Sequence, residues 1–97
     1  MPIGDRWQLL RGWEVLGEIV VDDMDWPWLY GSFIPRPGFS EVKPWFDEST
    51  ALVEAEDYDG FDRAYEPIEE SLGMVGPDGP VDGFLLHIKG DQAWFRC

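Results

Sequence analysis

Cysteine, histidine and positive charge are scarce in this chain. Its 97 residues include one Cys, one His and seven Lys or Arg against twenty Asp or Glu, for a formal charge of −13. A lone thiol, Cys97, cannot close an intrachain disulfide, so the fold must be held by its core and suits a reducing compartment. With a single His87 beside that thiol, no Cys/His zinc spacing exists. The cations Arg6, Arg11, Arg36, Lys43, Arg63, Lys89 and Arg96 are scattered with no two adjacent, and the mean field repels phosphate. Direct nucleic-acid binding and attachment to an anionic membrane are therefore not expected. Long apolar runs are also missing: nothing approaches the ~18 residues of a membrane span. Residues 1–7 lack the basic segment followed by an apolar one that marks a signal peptide, and a cytoplasmic location is the expectation. Phosphate-cradling glycine loops, a P-loop lysine and G-x-S-x-G are absent, so no cofactor and no catalytic set are assigned.

What is present is a core. Six Trp, six Phe and three Tyr in a chain that is 44 % hydrophobic exclude a disordered acidic tail. The length allows one domain, 1–97. Residues 7–10 and 14–21 read as a hairpin around Arg11-Gly12, its register left open between a two-residue and a bulged three-residue loop. The Asp cluster and Pro of residues 22–28 read as a connection, and 29–34 as a third strand ended by Pro35 and Pro37. Val42, Trp45, Phe46, Leu52 and Val53 recur at helical spacing, with Ser40 as a candidate cap and Pro44 suited to the first turn. Phe61, Ala64, Tyr65, Ile68 and Leu72 form a second helical stripe, with Asp59 as candidate cap and Pro67 expected to kink it or leave its amino half irregular. Met74-Val75 is a candidate short strand and 76–80 a loop.

The carboxyl-terminal stretch is the most legible. Gly90-Asp91 is a two-residue turn, which pairs Lys89 with Gln92, Ile88 with Ala93, His87 with Trp94, Leu86 with Phe95, Leu85 with Arg96 and Phe84 with Cys97. One face of this hairpin is apolar and belongs on the core. The other carries His87, Trp94 and cations. The fold expected is α+β: an antiparallel sheet of about five strands with a helical pair packed on one face, in the order βββ-αα-(β)ββ.

Charge is concentrated between 41 and 72, where eleven carboxylates accompany only Lys43 and Arg63. Two readings compete: a solvated face that keeps the chain soluble, or a docking surface for a basic protein, with Glu54, Asp62, Glu66, Glu69 and Glu70 as contacts. Asp22, Asp23 and Asp25, or Glu56, Asp57, Asp59 and Asp62, offer oxygen ligands, but EF-hand spacing fails because Phe61 and Asp62 fall at positions five and six from Asp57; no metal site is assigned. Set against Trp94, His87 reads as a surface histidine stacked on an indole. Were the chain an enzyme, His87 with a loop carboxylate would be the acid–base pair. Trp26, Trp28 and Tyr30 alternate onto one side of an extended segment, and with Trp94 they offer anchors for a partner or for a second copy of the chain.

Three stretches, EVLGE at 14–18, DWPWLYGSFIP at 25–35 and FLLHIKGDQAWFR at 84–96, resemble a family of short acidic proteins from actinobacterial genomes. The resemblance implies a free-standing small protein and carries no activity or site residue. The function expected is non-enzymatic: an inhibitor, immunity-type antidote or adaptor that docks a basic partner through the acidic helical arm. The alternative is a small-ligand binder or minor enzyme with an aromatic pocket around Trp28, Trp94 and His87.

Overall fold

Strand-forming Leu, Val and Ile dominate residues 6–35, and three antiparallel strands form there: β1 (Arg6–Arg11), β2 (Glu14–Asp25) and β3 (Trp28–Pro35). The computed structural model describes residues 2–97. A 3₁₀ turn (Pro37–Glu41) leads into α1 (Lys43–Glu54) and α2 (Tyr58–Ser71), followed by β4 (Gly73–Gly76), β5 (Gly79–Pro80), β6 (Leu85–Lys89) and β7 (Gln92–Arg96). The seven strands form one antiparallel sheet in the order β5-β4-β1-β2-β3-β7-β6. This corrects the expected count of about five, because 76–80 pairs back on itself where Gly and Pro had suggested a loop.

The sheet curls into a half-barrel. β1 and β7 are three strands apart, about 14 Å along a flat sheet, yet the rings of Trp7 and Phe95 meet at 4.9 Å between centroids. Buried rows cross the concave face: Val21, Gly31, Ala93 and Ile88 in one, the half-buried Leu29 with Phe95 and Leu86 in the next. Gly31 is required there, since a Cβ would lie 2.2 Å from the Val20 carbonyl oxygen. An aromatic relay then ties α1 to the sheet, Phe33 to Phe39 at 4.6 Å and Phe39 to Phe46 at 5.8 Å.

Local readings shift in instructive ways. The first turn is Gly12-Trp13, with Arg11 opposite Glu14, and the register slips at Leu16 so that Leu9 faces Gly17. That bulge lets both Leu9 and Leu16 reach the core. The Asp22–Asp25 stretch is strand rather than connection: β2 runs to Asp25 and pairs with β3 across a second slip at Asp22, leaving only Trp26-Pro27 as the turn. α1 begins at Lys43, preceded by the 3₁₀ turn, with no cap from Ser40. The α2 cap is Asp57, whose carboxylate accepts the Gly60 N–H at 3.0 Å, in place of Asp59. α2 runs unbroken through Pro67. In the last hairpin every pair from Lys89–Gln92 to Leu85–Arg96 is formed. Phe84–Cys97 lies beyond the ladder, with Cys97 exposed.

The two sheet edges are closed differently. β5 is two residues long and contains Pro80, a short edge that resists strand addition. β6 is covered by helical side chains. The Leu86 N–H donates to the Tyr65 hydroxyl oxygen at 2.8 Å, Tyr65 donates to the Phe84 carbonyl at 3.2 Å, and Thr50 donates to the Ile88 carbonyl at 3.3 Å. α2 thus sits over the β6 edge and reaches past it, so the helical pair is not confined to the concave face.

Candidate functional site

The acidic face of α2 follows from helical periodicity. Phe61, Tyr65, Ile68 and Leu72 are buried on one side, which leaves Asp59, Asp62, Glu66, Glu69 and Glu70 exposed on the other. None of these five takes part in an ion pair among the described residues. Five of the seven cations are engaged elsewhere: Arg6 and Arg36 on Glu18, Arg11 on Glu14 and Glu41, Lys43 on Asp47, and Lys89 on Glu54 at 2.6 Å, while Arg63, on α2 itself, and Arg96 form no ion pair among the described residues. Glu54 is therefore a neutralised member of the expected contact set, and it sits on α1.

Asp59 lies in the first turn of α2, where the macrodipole favours it, but the carboxyl-terminal part of the array works against the helix. Its last turn has no basic residue, so Glu69 and Glu70 face the negative end of the macrodipole, where a favourable charge contributes ~0.3–1 kcal/mol and an unfavourable one costs similarly. Asp62 and Glu66, and Glu66 and Glu70, are like charges four apart, each pair costing roughly 0.2–0.5 kcal/mol. Placement for stability would have put cations in the last turn.

The aromatic members of the expected site behave otherwise. His87 is 4 % exposed, enclosed by Trp94 at 5.4 Å, Phe61 at 5.6 Å and Trp28 at 5.9 Å between centroids. The expectation of a surface histidine is corrected: alternation does turn it away from Leu86 and Ile88, but Phe61 arrives over the β6 edge and covers it. Its Nδ1 is buried with no hydrogen-bond partner, and burial pushes its pKa below the usual histidine value. The Arg96 guanidinium lies 5.7 Å above the Trp28 ring. Trp28, Trp94 and His87 are thus brought together, as a packed cluster in which the two half-buried indoles cover the buried imidazole. Beside it, a concavity of about 310 Å³ lies between Tyr30 and Trp94, with Asp22, Asp23 and Asp91 around it. Among the described residues, no three His, Cys, Asp or Glu side chains are grouped to hold a metal ion.

Trp26 stands apart at the β2–β3 turn, 81 % exposed. Gly83 and Phe84 border one hollow with Glu69 and another with Pro27, so the turn and the carboxyl end of α2 flank the same loop. Two features escaped sequence reading. Trp13 is fully exposed at the first turn, which a two-residue Gly-Trp turn would have signalled. The second is a groove of about 500 Å³ between α1 and α2; its signal was the small Ala64 and the ring of Pro67 beside an otherwise large-residue stripe. Among the described residues, no helix is long and apolar enough to cross a membrane. No family model, curated protein or solved structure matches the chain.

Proposed function

We propose that the chain is a small non-enzymatic interaction module of the cytoplasm, an inhibitor, antidote or adaptor, that docks a basic protein through the outer face of α2. The observation that carries this reading is the five-carboxylate array of α2, which has no ion pair among the described residues and whose last two members, Glu69 and Glu70, oppose the helix macrodipole. Such a field accelerates encounter with a cationic partner and imposes register on it. Closed sheet edges support the same reading, since they leave side-chain surfaces rather than strand addition as the means of docking.

Replacing Glu66, Glu69 and Glu70 by Lys tests it, because the change favours the helix and does not threaten the fold. Affinity capture from the host is expected to recover a basic protein with the native chain at low salt and to lose it with the variant. Identical recoveries would sink the reading.

A second reading, binding of a small ligand, is favoured by the Tyr30–Trp94 concavity. Its aromatic walls and neighbouring carboxylates suit an organic cation. A thermal-shift screen with quaternary ammonium and guanidinium compounds would read it, with no stabilisation up to millimolar ligand counting against it.

A further inference from the structure

We infer that the groove between α1 and α2 is the seat of an amphipathic basic helix, so that the partner is recognised by apolar anchors as well as by charge. The inference rests on the reading of α2 as a docking surface and adds to it the shape and pattern of the segment bound.

The groove is built at helical spacing from both sides. Trp45 and Leu52 contribute from α1, and Ala64 and Pro67 from α2, and all four are half-buried rather than sealed. Seven residues of helix span about 10 Å, so each wall presents about two turns. At the rim stand Glu48, Asp57 and Arg63, all exposed, and on α2 the acidic row runs on the far side of Arg63. Apolar walls and a surround whose carboxylates outnumber its one cation, Arg63, select a segment with the complementary pattern, apolar on one face and Lys or Arg on its flanks.

Backbone hydrogen bonding decides between a helical and an extended occupant. The walls are helices whose N–H and C=O groups are used internally, so a strand laid between them would find almost no partners for its own. A helix satisfies its own backbone and presents side chains at i, i+3, i+4 and i+7. Pro67 has no N–H, which leaves the Arg63 carbonyl without its i+4 donor. That acceptor belongs to a groove residue and suits a Lys or Arg side chain. Arg63 itself, a cation without an ion pair among the described residues, sets the register: it repels a partner cation directly opposite and admits a neutral or acidic residue there.

The test uses the full chain and two synthetic peptides of about 14 residues and identical Lys, Leu and Ala content. One carries Leu at i, i+3, i+4 and i+7, the other the same residues with Leu dispersed over all faces. Titrations followed by ¹H–¹⁵N spectra at about 150 mM salt are expected to show the patterned peptide binding at least ~10-fold tighter. The largest shifts are expected at Trp45, Leu52 and Ala64. Arg63→Gln should tighten the patterned peptide about threefold, a gain that unfolding cannot mimic. Leu52→Lys should remove the preference between the peptides while leaving weak, salt-sensitive binding to both. Equal affinities for both peptides, or shifts along Asp59, Asp62 and Glu66 only, would overturn the groove and leave the acidic face standing. Binding of neither peptide even at low salt would overturn both.

Discussion

Glu18 on β2 and Glu70 on α2 are both surface carboxylates, and the chain treats them in opposite ways. Glu18 lies between the guanidinium groups of Arg6 at 3.6 Å and Arg36 at 3.5 Å, with its side chain 19 % exposed. Glu70 is exposed, has no ion pair among the described residues and occupies the last turn of its helix. With seven cations for twenty carboxylates, most negative charge must go unpaired, and the difference lies in where. The sheet and α1 take five of the cations into ion pairs and α2 takes none. The charges of the sheet and α1 are thus arranged for cohesion, and one helix face is left as a field directed outward.

If the outer side of α2 repels itself, the inner side must hold the helix down, and the largest effect is expected there. Tyr65→Phe removes the hydroxyl that serves both the Leu86 N–H and the Phe84 carbonyl. A buried donor left unsatisfied costs ~1–3 kcal/mol, to be read as a lower urea midpoint with unchanged slope. A loss of only a few tenths would mean that α2 does not depend on the β6 edge.

His87 sharpens the comparison by pH. Its folded pKa lies below the ordinary 6.5 because burial disfavours the charged ring. The unfolded chain then binds the proton first. Stability is complete above about pH 6.5 and falls as pH drops toward the folded pKa. Chevron or urea midpoints between about pH 7.5 and 5.5 should decline in the native chain, and the His87→Phe variant should flatten that decline. Parallel curves for the two proteins would remove His87 as the source.

The sequence was most legible where geometry is local. The Gly90-Asp91 turn gives six cross-strand pairs by counting; five are formed, and the sixth, Phe84–Cys97, lies beyond the ladder. The buried stripe of α2 at residues 61, 65, 68 and 72 likewise follows from spacing alone, and with it the exposed acidic face. What depends on residues distant in sequence was not legible. Two-fold alternation correctly turned His87 away from Leu86, but its burial comes from Phe61, twenty-six positions away in the chain. The Asp22–Asp25 segment has a turn-like composition and is strand because β3 pairs with it and its carboxylates face solvent. β5 is two residues that gain strand geometry only from β4. The helix–helix groove was hidden for the same reason: Trp45 and Leu52 had been counted in one stripe with the buried Val42 and Phe46, and only packing separates the rim of a stripe from its centre.

The finest discrimination is one of sign. Glu70→Lys places a cation in the last turn, where the macrodipole favours it, and four residues after Glu66, the better orientation for an ion pair; the expected gain is ~0.3–1 kcal/mol. Glu18→Gln strips the carboxylate from between Arg6 and Arg36 and should lose up to about 1 kcal/mol. Two removals of negative charge from a chain of −13 would shift stability in opposite directions. Relief of net charge alone predicts a gain for both, so the pair separates local placement from global repulsion. Both effects should shrink as salt is raised from 20 mM to about 500 mM, since the Debye length falls from ~20 Å to ~4 Å. If Glu18→Gln also stabilised the fold, the contrast between a cohesive sheet surface and an outward-directed helix would collapse into a single excess of charge.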